Sequence, residues 1–368
     1  MKFKANKSDM VTALGIATKA VSNKGSMEIL KCLLIKADSD GLTITANDLE
    51  MGIQTVVECE VSEPGIEAVD AKMFRDIISK MPDKTIDVTV DENRVFTIKC
   101  GRTKFNISGQ NPDQFTGLPE VVPEQTITVD DSELKYCIQT TIFATDPNGS
   151  QKTMTGELFE VENGRLRIAA LDGHRLAIRH IDLDDENNAD KISAIIPSKA
   201  LNDISKISMR LGGEVKIGFT ENHAIFTMGD TTVTTRLIDG QYFNLEQILN
   251  NESSISITVN RQAIISSLER AGLFVKEGDK KPIIINFVGN EMNISINSPI
   301  GNMDETIDTE KQGNDVEIGF NPHFMLDALR AIDAETITMY MSGQRNPCYI
   351  RDESESYIYI ILPVNFTR

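Results

Sequence analysis

A chain of 368 residues is two to three times the usual length of a domain, so a peptide-sized or disulfide-dependent scaffold is excluded. Its 37 Lys plus Arg stand against 55 Asp plus Glu, a net charge of −18, which excludes a protein whose whole surface grips nucleic acid. Hydrophobic content of 40% and charged content of 25% are those of an ordinary globular chain, neither disordered nor membrane-spanning. The five cysteines, Cys32, Cys59, Cys100, Cys137 and Cys348, are odd in number and far apart, and they read as buried free thiols. The opening MKFKANKSDMVTALGIATKAVS has a basic start, but Asp9, Thr12, Thr18 and Lys19 interrupt its apolar run and no small-residue cleavage site follows. A cytoplasmic protein is the expectation.

In chain order, hydrophobic periodicity predicts six helices, near residues 8–24, 71–84, 131–145, 198–210, 261–276 and 323–333. Met10, Leu14, Ala17 and Val21 recur at three or four residues in the first, behind a candidate cap at Ser8. Asp70 precedes the second, Pro197 the fourth, Asn260 the fifth and Asn321-Pro322 the sixth, all residue types that open helices. The intervals between starts are 63, 60, 67, 63 and 62 residues, and that regularity signals an internal repeat.

Between the helices, alternating apolar and β-branched residues separated by Asp, Asn and Gly predict strands. Examples are GLTITAND and VFTIKC in the first third, LFEVEN and RLRIAAL in the second, and IIINFVG and YIYIILPV in the last. Two turn-rich connectors, NPDQFTGLPEVVPEQ and IDGQYFNLEQILNNESS, separate the thirds. The expected architecture is α+β, with three copies of one unit at 1–125, 126–253 and 254–368, each holding two helices and about eight strands.

Catalytic signatures are scarce. There is no phosphate-binding loop, no dinucleotide-binding glycine pattern and no His-Glu-x-x-His, and only four histidines, His174, His180, His223 and His323, occur. No cofactor is expected. The sharpest local constellation is LDGHRLAIRH, Leu171 to His180. Asp172 and His174 admit a hydrolase reading, with an acid and a base orienting each other. They also admit a hairpin turn at Asp172-Gly173 with Leu171, Leu176 and Ile178 packed inward, either alone or at the edge of a ligand groove. The acidic run Asp182–Glu186 reads as a solvated loop. The apolar tail ending NFTR reads as a terminal strand or as the wall of a groove that accepts a partner's peptide.

Charge is unevenly placed. The six helix windows hold 14 basic and 9 acidic residues, a net of +5, which leaves −23 for the rest of the chain. Helices gathered on one face would make that face mildly positive and able to track a phosphate backbone loosely.

Six segments, NDLEMGI (47–53), GRTKFNISG (101–109), LDGHRLA (171–177), IDGQY (238–242), IGFNP (318–322) and ILPV (361–364), occur in the order and spacing of one family. The chain resembles the bacterial DNA polymerase III beta subunits, the sliding clamps, over essentially its whole length. The resemblance implies three DNA-clamp domains, each of two helices backed by antiparallel sheets, and two chains closed head to tail into a ring. It implies a non-enzymatic processivity factor that encircles double-stranded DNA without reading its sequence. It also implies tethering of the replicative polymerase, clamp loader and repair proteins through short linear motifs, in the bacterial cytoplasm and with no membrane partner. A non-nucleic repeat scaffold that binds only peptides is the alternative.

By matching position, the resemblance places one peptide subsite on Leu171, Gly173, His174, Arg175 and Leu176, with Phe243, Ile248 and the tail residues Ile361, Leu362, Pro363 and Val364. It places a second on Met154, Asn321, Phe324 and Pro347. DNA contacts map to Lys24, Lys72, Asn148, Lys152 and Thr153, and the ring seam to Phe105 and Ile107 against Leu273 and Phe274 of the other chain. The sequence departs from the family pattern at Phe243, Gln247 and Asn365, and Lys152 and Thr153 replace a tyrosine pair.

Overall fold

A computed structural model of the chain describes residues 1–22, 27–119, 121–184, 191–249, 252–275 and 281–366, and of residues 208–211 the backbone only. Seven α-helices occur among the described residues: α1 (Lys7–Ala17), α2 (Ala71–Lys80), α3 (Asp131–Gln139), α4 (Ser198–Leu211), α5 (Glu246–Leu249), α6 (Arg261–Gly272) and α7 (Pro322–Arg330). Six coincide with the periodic segments; the one-turn α5 is too short to show a period.

Helix starts follow the caps read from sequence in three cases. Asp70 Oδ1 accepts from Met73 N–H at 2.7 Å, Asn260 Oδ1 from Ala263 N–H at 2.9 Å, and Asn321 Oδ1 from His323 N–H at 2.9 Å. Each removes one of the unpaired amides of a first turn. Ser8 does not cap α1: the helix starts one residue earlier, at Lys7, and the Ser8 hydroxyl binds Asp9. Pro197 closes a strand, and α4 begins at Ser198. Several helices stop short of their periodic windows for local reasons. Thr140 and Thr141 turn their hydroxyls back onto the carbonyls of Tyr136 and Cys137, both at 2.7 Å, where α3 ends. Met81 adopts an extended backbone before Pro82, ending α2.

The chain divides into two compact units, Met1–Ser132 with Asp203–Leu237, and Glu133–Asn202 with Ile238–Arg368. In the first, thirteen antiparallel strands form one continuous ladder. It runs from Gln125–Asp130 through Glu214–Phe219, His223–Met228 and Thr231–Arg236 to Met51–Val57, and onward to Lys2–Asn6 and Glu60–Glu63. Helix α2 covers its sheet with Ala71, Phe74, Ile77 and Ile78, the i, i+3, i+6, i+7 stripe of an amphipathic helix.

The second unit has a nine-stranded and a four-stranded antiparallel sheet. At the centre of the larger, Arg165–Leu171 pairs with Arg175–Asp182, which pairs with Tyr357–Ile361. Alternation sorts these strands by face. Leu176, Ile178, Ile358 and Ile360 join one apolar cluster, while Ala177, Tyr357, Tyr359 and Ile361 join the other, beneath α6 and α7. The hairpin before them turns on Asn163 (φ 54°) and Gly164 (φ 72°), the two-residue Asn-Gly turn that matches strand twist. Among the cysteines, Cys32, Cys100, Cys137 and Cys348 are buried and all five are free; burial pushes the thiols of Cys137 and Cys348 up to about 12, so neither supplies thiolate near neutral pH.

One buried group carries a measurable signature. Glu157 is fully buried, and its Oε2 has no partner among the described residues. Its Oε1 accepts from the Thr141 hydroxyl at 3.1 Å, which also approaches the Cys137 carbonyl at 2.7 Å, so one shared hydroxyl is all that offsets the desolvation of the carboxyl. Burial accordingly holds its titration well above the usual carboxylate range. The folded state keeps a proton that the unfolded chain releases near pH 4.3, so this contribution is complete below that pH and is lost as pH rises through the folded value, by about 1.4 kcal/mol per unit. Glu157→Gln should lack this decline, and chemical denaturation of both proteins between pH 4 and pH 8 checks it: parallel stability curves would disprove a buried neutral acid.

Candidate functional site

The segment LDGHRLA forms the tightest constellation in the second unit. Asp172 Oδ1 accepts from the backbone N–H groups of His174 (2.9 Å) and Arg175 (3.1 Å), and Gly173 adopts φ 84° between them. The carboxylate is thus spent on shaping the turn, and its Oδ2 binds Arg175 Nε at 2.9 Å. The His174 ring stacks instead on Phe324, centroids 6.0 Å apart and 21° from parallel. Asp172 and His174 do not form the acid–base pair of the hydrolase reading.

Arg175 is the hub. Its guanidinium is paired with Asp172 and with Asp327 on α7 (2.5 Å), donates to the Phe143 carbonyl, and lies 4.5 Å from the Phe324 ring centroid and 5.2 Å from that of Phe143. The side chain is only 12% exposed. Two carboxylates, a carbonyl and two ring faces compensate its desolvation, the condition under which a buried cation is tolerated.

Beside this hub lies an apolar groove of about 380 Å³. Leu171, Gly173, Arg175 and Leu176 from the turn, Met154 and Pro347 from neighbouring loops, and Leu362 from the tail line it. The connector after Leu237 supplies Phe243, Gln247 and Ile248. It is held by Ile238 N–H to the Ile195 carbonyl at 2.8 Å, and by the Tyr349 hydroxyl to the Ile248 carbonyl at 2.8 Å. Phe243 stays 45% exposed at the rim, and Leu362 38%, so the walls offer unpartnered apolar surface with few polar groups, as a site for an apolar-anchored segment requires.

The other sequence-expected residues, His174, Asn321, Phe324, Ile361, Pro363 and Val364, are not in its lining. Phe324 packs under Arg175 and His174. Asn321 caps α7, and Val364 N–H binds the Gly319 carbonyl at 2.8 Å, tying the tail to the smaller sheet beyond Pro363. Ile361 points to the core cluster and Ile360 to the groove, a distinction set by strand alternation. Tyr349 and Ile360 also line the groove; the period of YIYII, two residues back from Leu362, is the signal that identifies Ile360, whereas Tyr349 is brought there by its pairing across from Ile360.

Of the expected DNA-facing residues, Lys24 lies outside the described residues. Lys72, on α2 of the first unit, is exposed, as are Asn148 and Lys152 in the second, whereas Thr153 is 8% exposed. Phe105 (40% exposed) and Ile107 stand on the strand Thr103–Gln110 of the first unit; Leu273, directly after α6 in the second, is 76% exposed, and the Phe274 ring packs against Gly301. Among the described residues no group of three His, Cys, Asp or Glu could hold a metal ion, and no helix is long and apolar enough to cross a membrane.

Comparison with known proteins places this geometry in a family. Sequence models of the N-terminal, central and C-terminal domains of the DNA polymerase III beta subunit match residues 1–119, 128–244 and 246–365. The beta sliding clamp of Halalkalibacterium halodurans is 30% identical over 379 aligned residues, covering 99% of each chain. Two solved structures superpose closely. A putative DNA polymerase III beta subunit from Eubacterium rectale has a TM-score of 0.95 at 42% identity, over 100% of this chain and 99% of the other. The DNA polymerase sliding clamp of Bacillus subtilis has a TM-score of 0.95 at 29% identity, over 100% of both. The chain belongs to the DNA polymerase III beta subunit family, the beta sliding clamps.

Replacing the hub cation tests how the groove is built. Arg175→Met leaves Asp172 and Asp327 without their counter-charge, and the chain should lose about 3 kcal/mol of stability. The shift in urea midpoint measures it, and an unchanged midpoint would show that the two ion pairs contribute nothing net.

Proposed function

We propose that the chain acts as a DNA polymerase processivity factor, two copies closing head to tail into a ring around duplex DNA. In each chain, residues 1–125, 126–253 and 254–368 form three clamp domains whose helices line the hole. The apolar groove beside Arg175 takes short linear segments of the replicative polymerase, the clamp loader and repair proteins. The observation that carries this reading is the groove itself, open and apolar beside a turn whose only carboxylate is consumed in backbone and guanidinium bonds. A surface of this kind binds and tethers; it holds no arrangement for breaking a bond.

Charge supports the encirclement. The six longer helices carry 11 basic and 7 acidic residues in a chain of net charge −18. A mildly positive lining around DNA gives weak, sequence-independent backbone contacts that exchange as the ring moves, and an acidic exterior repels DNA from other faces. The exposed Lys72, Asn148 and Lys152 are the described contributors to such a lining; Lys24 lies outside the described residues. Retention then comes from topology, and the tethered polymerase meets its template at high effective concentration. A bacterial cytoplasmic address accords with this role.

Two sheet edges support the ring. Among the described residues, 103–107 pair on one side with Val95–Cys100 and have no partner strand on the other, and Gly301–Asp308 is the edge of the four-stranded sheet. An unpaired edge bearing Phe105 and Ile107, and another beside Leu273 and Phe274, suit a heterologous contact that closes after two copies.

The encirclement is tested by loading the protein onto nicked circular plasmid and then cutting the plasmid once. The protein should leave the linear DNA while staying on uncut circles; retention on linear DNA would falsify topological binding. The seam is tested separately. Leu273→Asp with Phe274→Asp introduces two charges that the interface cannot pair, and sedimentation should report a folded monomer; a persistent dimer would move the seam elsewhere.

A further inference from the structure

The unit formed by Met1–Ser132 and Asp203–Leu237 contains a second recess whose backbone frame repeats that of the groove. In the groove, Asp172 N–H donates to the Arg175 carbonyl (3.3 Å), Asp172 Oδ1 accepts from His174 and Arg175, and Leu362 N–H donates to the His174 carbonyl (2.9 Å). In the first unit, Asp48 N–H donates to the Met51 carbonyl (3.1 Å). Asp48 Oδ1 accepts from Glu50 (3.1 Å) and Met51 (2.8 Å), and Arg236 N–H donates to the Glu50 carbonyl (3.0 Å). Strand registers agree as well: Gly52 faces Thr234 as Leu176 faces Ile360, and Met51 faces Thr235 as Arg175 faces Ile361. The left-handed position after the aspartate, Gly173 in the groove, is filled here by Leu49 at φ 76°, 46% exposed. A bulky residue held in that conformation is strained, and strain of this kind persists where the surrounding frame over-determines it.

The frame is shared but the walls are not. Where the groove has the apolar side chains Leu171, Ile360 and Leu362, the recess has Asn47, Thr234 and Arg236, and His223, paired across from Arg236, takes the place of Pro347. The recess measures about 320 Å³. Asn47 Nδ2 donates to the Thr116 and Gly117 carbonyls, strapping the connector so that Leu118 lies over Gly52, where any Cβ would collide with it. Leu49 and Leu118 therefore keep part of the lining apolar. Arg236 makes no ion pair among the described residues, and burial together with the neighbouring Arg236 disfavours charging His223. Glu50 is exposed at the margin. One unpaired guanidinium and an imidazole beside apolar surface are the complement of a carboxylate attached to an apolar neighbour.

We propose that this recess is a second peptide site, selective for a short segment that carries an acidic residue next to an aliphatic one. The carboxylate binds Arg236 and His223, and the aliphatic side chain binds Leu49 and Leu118. That the ligand is a peptide rests on the reading of the first groove; the acidic preference rests on the recess alone.

The test uses the full-length protein labelled with [methyl-13C]methionine, because Met51 lines the recess and Met154 the groove. The probe is N-acetyl-Leu-Asp-amide at millimolar concentration, and Met51→Leu assigns the resonance. The Met51 signal should shift saturably while Met154 stays still. N-acetyl-Leu-Asn-amide, or the variant Arg236→Gln, should bind about tenfold more weakly or worse, the equivalent of about 1.4 kcal/mol. A silent Met51, a Met154 response in its place, or equal binding of the Asn probe would each overturn the proposal. An apolar N-acetyl-Leu-Phe-amide that fails to move Met154 counts against the first groove only, and leaves a Met51 response to the acidic probe standing.

Discussion

Backbone hydrogen bonding at sheet edges is the constraint on which the rest depends. A strand that ends a sheet leaves a row of unpaired N–H and C=O groups, costly to bury and hazardous to expose. In the first unit, Met51–Val57 meets Thr231–Arg236 from more than 170 residues downstream; in the second, Arg175–Asp182 meets Tyr357–Ile361 in the same way. The internal repeat thus satisfies two edges from within the chain. Among the described residues, the free side of residues 103–107 and the outer strand Gly301–Asp308 have no such internal partner. In the ring proposed above, a second copy continues the same pairing rule.

The same ladders explain why the groove lies where it does. Pairing Arg175 with Ile361 carries the chain's last residues to a turn encoded nearly 190 positions earlier, and alternation delivers Ile360 to the groove while Ile361 goes to the core. The turn cannot relax, because Asp172 is bound to two amides and to Arg175, which is itself bound to Asp327. A segment bound as proposed would meet a wall already ordered, with little side-chain entropy to lose beyond the rim residues Phe243 and Leu362.

Much of this was legible in the sequence, and its limits are physical. Helical period and cap chemistry located six helices because each buries a single stripe and starts on Asn, Asp or a strand end. The ends were less legible: Thr140 and Thr141 stop α3 through side-chain bonds that a hydrophobic pattern does not register. Strands of the form VFTIKC and RLRIAAL were read to the residue, but Ile192–Pro197 and Gly301–Asp308 were not, the latter because a polar, exposed edge lacks apolar alternation. In the groove, the residues on one turn were readable as a motif. The division of YIYII between two faces, the burial of the Glu157 carboxyl and the pairing of Arg175 with Asp327 on a distant helix are properties of tertiary contact, and no local window contains them.

The repetition of the aspartate-bonded turn bears on how such a chain diversifies. Asp48 and Asp172 make the same three kinds of bond, so the frame is fixed by backbone geometry and one carboxylate, and is indifferent to the side chains that project from it. That indifference allows Leu362 in one copy to be Arg236 in the other without disturbing the ladder, since both donate the same backbone N–H. The walls differ accordingly: Leu171, Ile360 and Leu362 in one copy, Asn47, Thr234 and Arg236 in the other. Gly52 marks the limit of this freedom, because Leu118 occupies the volume of its missing Cβ. A frame that tolerates every wall residue but refuses one Cβ is what separates the part of the turn that carries architecture from the part that carries specificity.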